Sequence, residues 1–292
     1  MEFYLDTRLI DAVLRAWDRA DPDFSAVYAM DIFQNLRKRA EDFQQRTLTD
    51  AKYLDFLLHI DGIDMRAHRA EIERNLALIR AVDMEALLQR VNSFLPASAA
   101  GDARSLPVHV VIGLAGLAGE DYVVLDPSPC PWFPADGSDA EAYLEKFVKP
   151  VLRHEMHHVG YYRAHAAAPG DTPADVRQLA VDFIRQMQME GGAILCEGGA
   201  ELHPLSPEEE KRLEAGLARY LPVLQEWRER ADAEITEADW DRYYSLWEDD
   251  KPVYWMGVLM CCRLAASGRA GSVADCMAMQ PDEFFAAAQN VR

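Results

Sequence analysis

The sequence predicts an α+β fold that is predominantly α-helical, with a small β-hairpin or sheet, and three observations carry that expectation. Most of the 292 residues alternate apolar and polar positions at helical spacing. Two short β-branched runs, Leu106 to Leu114 and Asp121 to Leu125, interrupt that pattern. No internal repeat of about 20–50 residues and no low-complexity linker divides the chain. A single domain over residues 1–292 is the economical organisation: a helical part to about 95, a strand pair with the helices after it over about 106–260, and C-terminal helices to 292.

From Asp6 to Leu95, Leu9, Val13 and Leu14 open one amphipathic face, and Ile72, Leu76 and Ile79 continue another. Breaks fall near Asp21-Pro22, Asp61-Gly62 and Asn92-Ser93, so this part reads as a bundle of several helices. The two β-branched runs, joined by the glycine-containing AGLAGE, read as a hairpin or as two neighbouring strands. Residues 126–138 hold four prolines and a glycine, which makes them a loop. After it, Ser138 or Asp139 can cap a helix whose apolar stripe is Tyr143, Leu144, Phe147, Val148, Val151 and Leu152. Pro150 falls inside the stripe and should kink the helix or open a second one. Helices follow from Asp175 to about Cys196 and from Pro207 to Ala231, the latter with Pro222 as a kink, around a loop through EGGAELHPLSP. The remainder from Thr236 reads as three helices, broken near Lys251-Pro252 and over 266–271.

With 30 Lys+Arg against 49 Asp+Glu, the formal charge is −19, so the chain would repel a polyanion and no nucleic-acid partner is expected. No apolar run reaches the roughly 18 residues of a membrane helix, and the N-terminus carries acids where a signal peptide carries bases, so a cytoplasmic protein without a membrane partner is expected. The five cysteines are odd in number and lack CxxC spacing, which points to buried free thiols.

Chemistry concentrates after Pro150, where His154, Glu155 and His158 form H-E-x-x-H. Residues four apart lie one turn above each other on a helix, so two imidazoles can converge on one metal ion. Glu155 stands about 100° round the helix from His154 and can reach a water there without being a ligand. This is the arrangement that hydrolytic zinc chemistry needs: the ion acidifies water and polarises a carbonyl, and the carboxylate moves the proton. His157 shares a face with His154, but only the His154/His158 pair leaves Glu155 in that place, so His157 is assigned a supporting or packing role. His165 reads as a solvent-facing residue at the helix end. A third ligand must come from elsewhere, and Glu190 and Glu197 both open the pattern Glu-Gly-Gly-Ala, seven residues apart and so nearly on one helical face. Glu190 is favoured, because Phe183, Ile184 and Met187 bury its turn and glycines 191 and 192 let the motif helix approach, whereas Glu197 sits where the helix ends.

H-E-x-x-H followed by a helical glutamate resembles the gluzincin class of zinc metallopeptidases. Glycine and histidine at the positions of Tyr161 and Ala164 would instead mark a metzincin. The order of a helical N-terminal half, a strand pair, H-E-M-H-H-V-G, E-G-G-A and P-V-Y-W-M-G-V-L-M is similar to a bacterial family of uncharacterised domains described as "putative zinc-dependent peptidases". The resemblance implies a zincin-like fold with the sheet beside the H-E-x-x-H helix, and one Zn2+ per chain held by His154, His158 and Glu190. It further implies Glu155 as general base and Tyr254 as donor to the developing oxyanion. The doubled E-G-G-A keeps Glu197 open as the third ligand, and Tyr254 can equally be an aromatic packed beside Trp255 and Met256. Asp182 and Asp249 are candidates to orient the ligand imidazoles. The function expected is hydrolysis of a peptide or protein substrate, basic or neutral given the acidic surface. Hydrolysis of a non-peptide amide or ester and a catalytically silent metal-binding domain are the alternatives.

Overall fold

An N-terminal strand absent from the expectation, β1 (Glu2–Asp6), pairs in parallel with β2 (Ser105–Val110), Glu2 opposite Ser105 and Asp6 opposite His109. Its five residues alternate, with Phe3 buried and Tyr4 exposed, but so short a run takes its register from a partner about a hundred positions away. The computed structural model describes residues 1–44, 46–100, 105–114, 116–129, 138–165, 173–199, 202–230, 232–248 and 251–290. It is 66% helical, with one small mixed sheet.

Between β1 and β2 run α1 (Arg8–Trp17), α2 (Ser25–Tyr28), α3 (Asp31–Gln44), α4 (Asp50–Leu58), α5 (Arg69–Arg80), α6 (Met84–Asn92) and α7 (Ala97–Ala100). A parallel pair requires such a long crossover, so the helical N-terminal third is the connection between two strands. After β2 come β3 (Leu117–Ala118) and β4 (Val123–Leu125), and the sheet order is β1-β2-β4-β3. The two β-branched runs are therefore parallel neighbours, β2 and β4. The hairpin is β3 with β4, and β3 lies in the segment AGLAGE that reads as a mere linker. Gly113 and Gly116, at φ +78° and +76°, turn the chain between β2 and β3, a conformation with little penalty only for glycine.

The helices that follow are α8 (Ala140–Tyr143), α9 (Lys149–Ala164), α10 (Val176–Gly198), α11 (Pro207–Arg230), α12 (Glu237–Tyr244), α13 (Pro252–Ala266), α14 (Val273–Ala278) and α15 (Pro281–Gln289). Asp139 stands at the N-cap of α8 without a side-chain cap bond, and Pro222 lies inside an uninterrupted α11. Among the described residues the C-terminal part holds four helices rather than three. Ser272 caps α14 through the Asp275 amide, and Pro281 starts α15 where a missing N–H is harmless. Cys196, Cys261, Cys262 and Cys276 are buried free thiols, as expected, and Cys130 lies outside the described residues. Among the described residues no helix is long and apolar enough to cross a membrane.

The chain forms two compact units, one of Met1–Leu87 with Ala103–Glu155, the other of Leu88–Asp102 with Met156–Arg292. The first is built on the sheet, whose Leu106, Val108, Val110 and Val123 to Leu125 are buried. The second is built on α10, which packs against α11, α13, α14 and α15. Helices α10 and α13 meet backbone to backbone at Gly191 and Gly257, where a Cβ on Gly257 would lie 1.8 Å from the Met187 carbonyl oxygen. Backbone cannot yield there as a flexible side chain would. Gly257→Ala should therefore cost at least about 2–3 kcal/mol in urea unfolding, and a loss below about 0.5 kcal/mol would refute the tight crossing.

Candidate metal centre

The motif helix begins irregularly, with a π-helical stretch over Leu144–Val148 leading into α9, where Pro150 is the second residue. A proline has no N–H for the helical ladder, and a widened turn just before it resolves the clash with the preceding carbonyl. Leu152, Met156 and Val159 are fully buried and anchor α9. That leaves His154 and His158 one turn apart on a single face. Asp175 caps α10 by accepting from the Gln178 amide, and Gly199, at φ +60°, ends it. Glu190 thus sits in the interior of a well-terminated helix, and Glu197 in its last turn.

His154, His158 and Glu190 come together: each offers one donor atom, and these atoms all lie within 4.8 Å of one another. Glu190 Oε2 is 3.5 Å from His158 Nε2, with both side chains almost wholly buried. Ligands bound to zinc at about 2.1 Å in a tetrahedron stand about 3.4 Å apart, so this pair already has the required separation. Two imidazoles and a carboxylate are also a donor set that catalytic zinc sites use, with a fourth position left for water or substrate. The residues present can hold the ion. Glu197 is not part of the group.

Two glycines shape the surroundings. A Cβ on Gly192 would meet the Met277 sulfur and lie 2.8 Å from Cε1 of His157, so this buried imidazole packs on α10 where glycine leaves room. The expectation that glycines 191 and 192 admit the motif helix holds for Gly192, whereas Gly191 admits α13. On the other flank of α9, Gly116 faces Glu155: a Cβ there would lie 2.9 Å from Glu155 Oε1 and 3.0 Å from Val151 Cγ1. The loop leading into β3 therefore packs on the motif helix at its carboxylate. Asp126 holds that loop, accepting from the Ser128 amide at 2.8 Å and from the amides of Gly113 and Leu114. Burial pushes the Asp126 carboxyl up to about 6, against the lowering effect of those donors. Sequence reasoning missed Gly116 and Asp126. The available signal was Asp-Pro-Ser after a buried strand, a turn in which the aspartate bonds its own backbone two residues on.

Other expectations fare differently. His165 is half-buried rather than solvent-facing, its ring 4.3 Å from that of Tyr161 and its Nε2 2.8 Å from the Met277 carbonyl oxygen. Asp182 accepts from the Tyr243 hydroxyl and from Arg185, within the unit built on α10. Asp249 lies outside the described residues. Tyr254 stands in the first turn of α13, with Trp247 edge-on at 5.9 Å and the Lys251 ammonium 5.8 Å from its ring centre. It precedes Gly257 by one turn, and Gly257 touches Gly191, the residue after Glu190.

A helix-borne His-x-x-x-His pair closed by a glutamate from a second helix is a donor arrangement that can hold a metal ion, one that metal-dependent hydrolases also use. Residues 24–291 match the family described as "putative zinc dependent peptidase (DUF5700)", and the chain belongs to that family. No curated protein and no solved structure matches it.

Two outcomes are expected. Elemental analysis should find about one zinc per chain, and His154→Ala, His158→Ala or Glu190→Ala should each weaken affinity by at least about 100-fold, more than loss of a supporting residue costs. Unchanged zinc in Glu190→Ala would exclude that carboxylate. For Asp126, a folded pKa of about 6 lies above the unfolded 3.8. Between those values the folded state holds the extra proton, so this group favours folding most below about pH 4. That contribution falls by about 3 kcal/mol as pH rises to 6, then levels off. The stability difference between wild type and Asp126→Asn in urea should shift by about that amount across the window, and a constant difference would contradict it.

Proposed function

We propose that the protein is a zinc-dependent metallopeptidase of the gluzincin type, with His154, His158 and Glu190 as ligands and Glu155 as general base. The observation that carries this reading is the convergence of the three donor atoms within 4.8 Å, beside a glutamate that follows the first imidazole on the same helix. Zinc bound there supplies a Lewis acid for the scissile carbonyl and lowers the pKa of water to about 7. Glu155 takes the proton of the attacking water and passes it to the leaving amine. Gly116 leaves the room that this carboxylate occupies, because a Cβ there would lie 2.9 Å from Oε1. Tyr254 donates a hydrogen bond to the developing oxyanion, a role supported by its place one turn before the α10–α13 contact.

A peptide substrate fits the sheet. β3 ends the order β1-β2-β4-β3, and it begins one residue after Gly116. An extended chain can add to such an edge through backbone hydrogen bonds and lie beside Glu155. Arg39 donates to the Ala118 carbonyl, so pairing would start at Leu117. The net charge of −19 favours basic or neutral peptides over acidic ones, an effect that weakens with salt.

The test is turnover of lysine-rich, neutral and glutamate-rich peptide pools, alongside small amides and esters, by zinc-loaded protein. Glu155→Gln should lower kcat by about 10²–10⁴-fold while zinc content stays unchanged. Turnover of esters but not peptides would move the reading to a non-peptide hydrolase. Full activity in Glu155→Gln would remove its catalytic role.

A further inference from the structure

Helix α12 buries one side and turns aromatic rings outward on the other. A capping box between Thr236 and Asp239 fixes its first turn, and Asp239 and Tyr243, with Leu246 just beyond the helix, are buried. Glu237, Trp240, Asp241 and Tyr244 follow the spacing i, i+3, i+4, i+7 and so share the opposite side. Tyr244, 49% exposed, is the most exposed large apolar side chain among the described residues. A lone exposed ring is ordinary on a protein surface, but this ring is one of a fixed pair. Trp240 and Tyr244 stack at 5.7 Å and 23°, and both stand edge-on to the buried Tyr243 ring, at 83° and 84°. Tyr243 is held in turn by its hydroxyl, which donates to Asp182. The pair is thus a rigid π surface, and a partner that binds it finds the rings already ordered.

The charges beside the rings select the partner. Arg242 pairs with Glu226 at 2.7 Å, and Arg230 pairs with the buried Asp239 at the same distance. Glu237, Asp241 and Glu248 are exposed and make no ion pair among the described residues. Lys251 offsets part of their charge and lies 5.8 Å from the centre of the Tyr254 ring, a cation on an aromatic face within the same stretch of chain. The stripe is therefore both aromatic and acidic. A basic side chain gains from the π face and from the carboxylates at once. An acidic partner is repelled, and so is a second copy of this stripe, which brings the same charges. A neutral proline-rich segment could use the rings but would leave carboxylates partly desolvated without a countercharge.

The stripe also adjoins a residue of the candidate site. The Trp247 amide donates to the Tyr244 carbonyl at 2.9 Å, and the Trp247 ring stands edge-on to Tyr254 at 5.9 Å. The ring pair and Tyr254 are thus linked by one turn of backbone and one ring contact, inside the unit built on α10. We propose that the Trp240–Tyr244 side of α12 is a docking surface for a basic peptide segment. Its arginine or lysine side chains stack on the two rings and pair with Glu237 and Asp241. That the segment belongs to a substrate rests on the peptidase reading; the docking itself does not.

Fluorescence anisotropy at low salt tests the surface, with dye-labelled hexa-arginine as probe and hexaglutamate and hexaproline as controls. The zinc-loaded full chain carries Glu155→Gln so that the probe survives. Hexa-arginine should bind at least about tenfold more tightly than either control, and salt should weaken it. Tyr244→Ala, at an exposed position, should weaken binding by about threefold or more, and Glu237→Lys with Asp241→Lys by about tenfold or more. The same double reversal at exposed Asp21 and Asp42, remote in sequence and in the other compact unit, should change it by less than about twofold. Equal weakening by that control would reduce the effect to general charge attraction and overturn the site. Hexaproline binding as tightly, indifference to both sets of α12 variants, or a dimer that Tyr244→Ala dissociates would also overturn it. In turnover of arginine-rich peptides, Tyr244→Ala should raise KM by about the same threefold with kcat unchanged. Docking without any cleavage supports the surface and removes the peptidase reading, whereas cleavage without docking removes the surface alone.

Discussion

Two adjacent glycines leave α10 bare in two directions, where the backbone of α13 packs at Gly191 and the Met277 sulfur and the His157 imidazole pack at Gly192. Successive helical positions point about 100° apart, so Glu190, Gly191 and Gly192 face three directions in one turn. The carboxylate joins the imidazoles of the motif helix, the first glycine meets α13, and the second receives Met277 and His157. A methyl group at Gly191 would collide with the α13 backbone at Gly257, in the helical turn that carries Glu190. From that turn Glu190 stands 3.5 Å from His158.

In a chain of net charge −19 the buried acids are held in different ways. Asp239 accepts from Arg230, from the Trp227 indole at 2.8 Å and from Thr236, and the guanidinium holds its carboxyl well below the usual range. Asp126 is surrounded mainly by neutral amides, which offset burial only in part, so its carboxyl rises. Glu190, 5% exposed, sits against imidazoles. A strong countercharge, amide donors and ligand-type neighbours are three answers to one desolvation cost, and only the third creates a place for a cation. The first two serve folding and loop geometry, and through the Gly113 and Gly116 turns the second also reaches Glu155.

Much of this was legible in the residues. H-E-x-x-H carries its own geometry because it lies within one helix, and Glu190 stood out over Glu197 by its place in the helix interior. The N-cap at Asp175 and the stop at Gly199 are local chemistry of the kind a sequence displays. The features that no local pattern displays depend on distant partners. β1 is strand because Ser105 to His109 lie beside it, and β3 is strand because β4 returns next to it. His165 reads as a helix-end residue until the carbonyl of Met277, 112 positions away, meets its ring. The Asp6–His109 pair has no motif, since each residue alone is ordinary.

The sequence by itself determined the helical class, the buried thiols, the two imidazoles one turn apart and the candidate glutamates, all set by spacing along one chain segment. Tertiary structure decided which glutamate reaches the imidazoles, which backbone lies against Glu155, and where β1 pairs. Those choices turn on contact distances that must match to within a few tenths of an ångström between elements far apart in the chain, and spacing along a segment encodes no such distances.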